Sequence, residues 1–157
     1  MSDESLAAAL EREHHEIDAG IAAFVEQLES GSLRPEPLIT ALDALRRHIY
    51  LEEVFLFPPI HQGGMVMPIF VMLREHGELW HTIDALTGLL TEGADVDRLR
   101  ETCRRLAGQL AAHNAKEEPV IYPHADTDLP AQTSAELARF IECGSTPAGW
   151  VCQQGAA

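Results

Sequence analysis

Apolar residues recur every three or four positions along four long stretches of the chain. In the first stretch, over residues 3–29, the apolar line consists of Leu6, Leu10, Ile17, Ile21, Phe24 and Leu28. This spacing is typical of an amphipathic α-helix that buries one face. Similar lines begin near Pro35, Pro68 and Asp95. The pattern predicts an all-α fold with four long helices.

Polar side chains interrupt each of these apolar lines near its middle. The interruptions are four histidines and two glutamates, namely His14, His48, Glu52, His76, His113 and Glu117. A histidine and a glutamate four residues apart lie on the same face of a helix, one turn from each other. The six side chains are therefore predicted to meet at one level of the core.

The chain carries this arrangement twice. His14 and His76 are 62 residues apart, and His48 and His113 are 65 residues apart. In each copy, a helix with one inward histidine precedes a helix with the motif His-x-x-x-Glu-Glu. One such motif indicates little, because pairs at this spacing are common on helix surfaces. Its repetition in equivalent helices indicates a shared site.

Short connections between the four predicted helices favour an antiparallel up-down-up-down four-helix bundle over residues 1–125. Residues 126–157 are predicted to form a short helix, from about Ser134 to Cys143, and an irregular tail that packs on the bundle or trails from it. At 157 residues, the chain is long enough for one domain with a core of its own.

Four histidines and two glutamates in an apolar core require a partner, because an unpaired buried carboxylate is strongly destabilising. A metal ion would supply one. Imidazole and carboxylate suit iron, manganese, zinc or cobalt, and the apolar lines contain no cysteine at these positions, which argues against a thiolate zinc site. Six ligands exceed the four of tetrahedral zinc. They suit two metals that share both carboxylates, with room for a bridging oxygen and an exogenous ligand.

Charge and composition narrow the range of partners. The formal net charge of −14 argues against nucleic acid and anionic membranes as partners. The acidic start of the chain is unlike a secretory signal, and no apolar run is long enough to cross a membrane. Three cysteines without a Cys-x-x-Cys pair favour reduced thiols in a reducing compartment. We therefore expect a cytoplasmic protein with a small ligand.

The motifs resemble those of the hemerythrin-like family of HHE cation-binding domains, which are non-haem di-iron four-helix bundles. The resemblance rests on Glu13-His14-x-x-Ile17, His48-x-x-x-Glu52-Glu53, Glu75-His76 and His113-x-x-x-Glu117-Glu118, with an aromatic residue and a proline after each doubled glutamate. It implies two iron ions with a bridging oxo or hydroxo ligand, bound by His14, His48, Glu52, His76, His113 and Glu117. Glu52 and Glu117 would bridge the two ions.

The chain departs from the oxygen-carrying members of that family at one position. Those members have a further histidine four residues after the ligand of the third helix, where this chain has Trp80. The change implies adjacent open positions on both irons. We therefore predict an oxidoreductase that reacts with hydrogen peroxide in a catalase-like manner, with dioxygen or with nitric oxide, and whose reductant is unidentified.

Two other functions remain open. One is a module that binds or senses oxygen, nitric oxide or iron without turnover, and the other is a structural metal site, with zinc as an example. Tyr50 and Tyr122 are expected to be ordinary rings at helix edges, with a metal ligand or a hydrogen-bond donor as the alternatives. Glu53 and Glu118 are expected to face solvent, with contact to the imidazoles as the alternative.

Overall fold

The structure is a computed structural model that describes residues 4–156. Its α-helices are α1 (Leu6–Glu29), α2 (Glu36–Leu51), α3 (Phe57–Gln62), α4 (Val66–Glu92), α5 (Val96–Val120) and α6 (Ala131–Cys143). A π-helical turn, Glu52–Leu56, joins α2 to α3, and a 3₁₀ turn, Tyr122–Ala125, follows α5. Residues 4–156 contain no strand. The prediction of a helical bundle is confirmed, and its antiparallel order stays a prediction.

Capping side chains begin two of the long helices. Ser5 accepts a hydrogen bond from the backbone N–H of Ala8 at the start of α1. Asp95 does the same for the N–H of Arg98 at the start of α5, where the fourth apolar line was predicted to begin. The predicted start of the first helix at Asp3 lies outside the described residues.

The polar residues divide the core into two apolar clusters. Helix α1 packs along α2 and α5, and α4 packs along α5. One cluster contains Ile17, Phe24 and Leu106 among others, and the second contains Leu10 and Phe57 among others. His14 lies in the sequence between Leu10 and Ile17, which belong to different clusters. The polar level is therefore enclosed by apolar side chains on both sides.

Helix α2 ends at Leu51, but the chain stays helical past two prolines. The N–H of Phe57 bonds to the carbonyl of Glu52 across the π turn, and the chain then continues as α3 through Pro58 and Pro59. A proline ring in a regular α-helix clashes with the preceding turn and cannot donate the next hydrogen bond. The π turn is wider than an α-helical turn, and it accommodates both the proline ring and the missing hydrogen bond. Glu52 and Glu53 begin this turn, beside the polar level of the core.

The tail beyond α6 contacts α4. Cys152 is 2% exposed and belongs to a core cluster. The rings of Trp80 and Trp150 pack edge to face at 5.5 Å, and Nε2 of His81 lies 3.0 Å from the carbonyl oxygen of Gly155. A Cβ atom added at Gly77 would lie only 2.7 Å from Cβ of the tail residue Gln154. The tail therefore lies close against the backbone of α4.

Two findings bear on the predicted environment of the protein. Across residues 4–156, none of the helices combines the length and apolar character needed to cross a membrane. The three cysteines are unpaired, with Cys103 and Cys152 buried and Cys143 exposed.

Candidate metal centre

The six polar residues predicted to meet in the core do lie together there. They form two overlapping groups: His14, His48, Glu52 and Glu117, and Glu52, His76, His113 and Glu117. Within each group, one ligand atom from each residue lies within 4.8 Å of the others, and every member is buried. Both glutamates belong to both groups. Each group could therefore hold a cation, and the two groups share both carboxylates.

A second set of glutamates binds the imidazoles from outside. The pairs are Glu118 with Nδ1 of His14 at 2.9 Å, Glu13 with His48 at 2.8 Å, Glu53 with His76 at 2.7 Å, and Glu75 with His113 at 2.9 Å. Each glutamate belongs to a different helical element from its histidine. A neutral imidazole that donates from Nδ1 to a carboxylate keeps its Nε2 lone pair available for a metal.

The expectation that Glu53 faces solvent is wrong, because its side chain is 6% exposed and binds His76. Glu118 is 33% exposed, so it reaches solvent in part, and it also binds His14. Glu13 is adjacent to His14 in the chain, but it binds His48 on the next helix instead. One feature of the sequence could have indicated these outer glutamates: in both copies of the repeat, a glutamate is adjacent in the chain to a predicted metal ligand.

Cations outside the centre hold two of these glutamates in their charged form. Nη1 of Arg47 lies 3.2 Å from Oε2 of Glu13, and Nζ of Lys116 contacts Oε2 of Glu75. Burial raises the pKa of Glu13, but His48 and Arg47 outweigh it and the net shift is downward. The pKa of Glu75 is also lowered, because Lys116 and His113 outweigh its burial.

In the absence of a metal, protons balance the charge of the centre. Burial lowers the pKa of His76, but its close contacts with Glu52, at 3.2 Å, and Glu53, at 2.7 Å, outweigh burial and raise the pKa to about 9. Burial raises the pKa of Glu117, but the contacts with His113 and His14 together outweigh it and hold the pKa well below its ordinary range. A metal that binds here must therefore displace protons from the imidazoles.

Three buried polar atoms of the centre have no hydrogen-bond partner. They are Oε1 of Glu52, Oε2 of Glu117 and Nε2 of His76. Nε2 of His76 lies 3.2 Å from Oε1 of Glu52, and Nε2 of His113 lies 3.3 Å from Oε2 of Glu117, but neither contact has the geometry of a hydrogen bond. Buried polar atoms are rarely left without a partner, so these atoms point to a missing ligand. A cation between His76 and His113 would satisfy all three. The donors are nitrogen and oxygen, which suit iron, manganese, zinc or cobalt.

A small cavity adjoins both groups. It has a volume of about 10 Å³ and is lined by the four histidines together with Leu45, Ile49, Glu52, Leu79, Leu110 and Asn114. This volume corresponds to about one water molecule. Asn114 is 8% exposed, and its Oδ1 has no hydrogen-bond partner. Trp80 lies away from this lining and packs against Trp150.

The comparison with protein families agrees with this geometry. The family model described as the hemerythrin HHE cation binding domain matches residues 5–125, which is 121 of the 157 residues. The chain belongs to the hemerythrin HHE family. The family resemblance seen in the sequence is thus confirmed. No curated protein and no solved structure matches the chain.

The hydroxyl of Tyr122 lies inside the centre of this hemerythrin HHE domain, so the expectation of an ordinary ring at a helix edge is wrong. It is 2.8 Å from Nε2 of His14 and 3.0 Å from Nε2 of His48. It is also 2.8 Å from Oε2 of Glu52 and 3.0 Å from Oε1 of Glu117. Burial, reinforced by the charges of both glutamates, raises the pKa of Tyr122 well above its ordinary value. The metal-free HHE domain therefore holds it as a neutral phenol.

The other tyrosine of this HHE domain belongs to a separate aromatic cluster. The ring of Tyr50 contacts those of Phe55, Phe140 and Trp150, with ring centroids 5.0 to 6.2 Å apart. This contact network agrees with the prediction of an amphipathic ring at a helix edge.

Proposed function

We propose that this hemerythrin HHE domain binds two iron ions, one in each four-residue group, and reacts with hydrogen peroxide in a catalase-like manner, with dioxygen or with nitric oxide. The observation that carries the proposal is the pair of buried donor groups that share Glu52 and Glu117 beside a cavity of about one water. Bound iron would supply redox chemistry and Lewis acidity, which these side chains lack. The bridging oxo or hydroxo ligand and the antiparallel helix order belong to the same proposal.

The four outer glutamates preorganise the centre in this proposal. Each accepts a hydrogen bond from the Nδ1 of one histidine, which fixes the ring and directs Nε2 inward. Because every such contact joins two helical elements, the ring positions depend on the packing of the whole bundle. Metal affinity is therefore expected to depend on the outer glutamates as well as on the inner six residues.

The cavity limits what can react there. Leu45, Ile49, Leu79 and Leu110 give it an apolar wall, and Asn114 adds an amide. A wall of this kind excludes bulk water, and the small volume excludes ligands larger than a peroxide or a diatomic molecule. Peroxide disproportionation needs no further reductant, since one peroxide is oxidised to dioxygen while another is reduced to water. Reduction of nitric oxide or dioxygen would need an electron donor of unknown identity.

The second candidate is a module that binds or senses a small ligand without turnover. The small size and buried walls of the cavity favour it, because they would retain a bound diatomic molecule. In either case we expect a cytoplasmic location, with which three unpaired cysteines agree.

The test measures the metal content of protein purified without added metal, followed by optical spectra and oxygen release on addition of peroxide. We expect iron and rapid oxygen release, lost in His14→Ala and retained in His15→Ala, because His15 is the exposed neighbour of a centre residue. Equal activity in the metal-free protein would overturn the proposal. A lasting coloured adduct without oxygen release would favour the second candidate, and a content of zinc alone would favour a structural site.

A further inference from the structure

The two halves of the centre differ at one pair of equivalent aromatic residues. Phe57 and Tyr122 are 65 residues apart, and each lies five residues after a shared glutamate. The ring of Phe57 stacks on His76 with centroids 5.3 Å apart and planes at 25°, and the ring of Tyr122 stacks on His14 at 5.3 Å and 28°. The rings are thus placed alike. The difference between them is the hydroxyl group.

The Tyr122 hydroxyl contacts four atoms, and the counterparts of three of them in the other half make no hydrogen bond. Tyr122 lies within 3.0 Å of Nε2 of His14, Oε2 of Glu52 and Oε1 of Glu117. The equivalent atoms of the second half are Nε2 of His76, Oε2 of Glu117 and Oε1 of Glu52, and none of them makes a hydrogen bond. Their nearest charged contacts are Nε2 of His76 with Oε1 of Glu52 at 3.2 Å and Nε2 of His113 with Oε2 of Glu117 at 3.3 Å. Phe57 offers them no polar group. The two cation positions therefore have different donor sets.

The four atoms around the Tyr122 hydroxyl could all bind a metal in this half of the centre. In the state that binds a metal, Nδ1 of His14 and Nδ1 of His48 carry the ring protons, which they donate to Glu118 and Glu13. Both Nε2 atoms are then acceptors, as are the two carboxylate oxygens. A phenol has a single proton to share among these four acceptors. A cation among them would bind all four atoms and the phenolate oxygen as well.

We infer that Tyr122 is a fifth protein ligand, through its phenolate oxygen, of the metal bound by His14 and His48. The inference rests on the proposed binding of iron, for which tyrosine is a ligand in proteins. Binding transfers the phenol proton to solvent and needs no oxidant. The metal bound by His76 and His113 has no such ligand, since Phe57 stands in the equivalent place. The two metals are therefore inequivalent, and the second keeps one more position for an exogenous ligand.

The test uses the full chain, loaded with ferrous iron and then oxidised. Iron content, visible absorption and resonance Raman spectra are compared for the wild type, Tyr122→Phe and Tyr50→Phe. We expect a phenolate-to-iron charge-transfer band with enhanced phenolate ring modes in the wild type and in Tyr50→Phe. Tyr122→Phe should bind iron but lack both signals. Tyr50 is a matched control because it is the second of two tyrosines and lies in the separate aromatic cluster.

A double variant tests the equivalence of the two halves. Phe57→Tyr combined with Tyr122→Phe should restore the charge-transfer band, now from the metal at His76 and His113. A wild-type ferric protein with two irons and no phenolate signals would overturn the inference and leave the proposed function standing. A chain that takes up no iron would overturn both. If Tyr122→Phe failed to fold, as judged by circular dichroism, the Raman spectrum of the wild type would still show whether a phenolate binds the iron.

Discussion

Glu53 accepts a hydrogen bond from Nδ1 of His76 at 2.7 Å. The other carboxylate oxygen of Glu53 accepts one from the backbone N–H of Gln153, in the C-terminal tail, at 2.9 Å. One side chain thus connects the tail to an imidazole of the candidate metal centre. We therefore expect both the charge of Glu53 and the position of the tail to affect metal binding at the centre.

The change Glu53→Gln should weaken metal binding. Glutamine has nearly the same shape but no charge, so His76 becomes a less basic ligand. Changes of such outer hydrogen-bond partners typically lower metal affinity by roughly 10–100-fold. Competition with a chromogenic chelator measures the affinity. Glu78→Gln, at an exposed position of α4, should bind metal like the wild type, and equal affinity in both variants would contradict the expected role of Glu53.

The change Gly77→Ala should displace the tail. The added Cβ would lie 2.7 Å from Cβ of Gln154 and 2.9 Å from its carbonyl oxygen, and backbone at this distance must move. Cys152 should then react with a thiol reagent. In the native protein it is buried, and burial raises its pKa to about 12, so the exposed Cys143 should react first.

The matched control for the tail is Gly88→Ala on the same helix. A Cβ at Gly88 meets no atom within 4 Å. This variant should leave Cys152 protected and stabilise the helix by up to about 1 kcal/mol. Counting the reactive thiols in native protein distinguishes the two variants, and equal protection of Cys152 in both would refute the tight contact between the tail and α4.

The metal-free protein should lose stability as the pH rises from 6.5 to about 9. The pKa of His76 is 6.5 in the unfolded chain and about 9 in the fold. A raised pKa contributes stability that is complete below the unfolded value and is lost as the pH passes the folded value. The pKa of His48 is raised as well, so its contribution has the same sign.

Urea unfolding of chelator-treated protein checks this dependence. The unfolding midpoint should fall between pH 6.5 and pH 9, and it should fall less in metal-loaded protein, because the metal replaces the protons on the imidazoles. A midpoint of the metal-free protein that stays constant over this range would show that the protonated imidazoles do not stabilise the fold.

The change Asn114→Leu should stabilise the metal-free protein. Oδ1 of Asn114 is buried without a hydrogen-bond partner, and such a group costs about 1–3 kcal/mol. Leucine has a similar size and removes this cost. The free energy of unfolding measures the effect. A destabilised variant would show that the amide makes a favourable interaction in the folded protein.

In iron-loaded protein, the same change should weaken retention of nitric oxide if the amide contacts the bound ligand.

Much of the fold and the inner part of the centre can be predicted from the sequence, because both depend on local spacing. The helical period places His48 and Glu52 on one face, and the second copy at His113 and Glu117 shows that this face carries a shared site. Asp95 marks the start of α5 for the same reason, since a cap is a contact between near neighbours. The six inner residues therefore follow from the order of amino acids alone.

The remaining features depend on contacts between distant segments. The π turn at Glu52 is local, but which side chains it directs inward depends on the facing helices, so the sequence alone did not decide whether Glu53 faces solvent or contacts His76. Tyr122 is 108 residues from His14, and no helical period relates them. The sequence by itself determined the helices and the four histidines and two glutamates of the core. Tertiary packing decided which outer glutamates orient them, where the Tyr122 hydroxyl lies and how the tail closes over α4, because each of these contacts joins residues far apart in the chain.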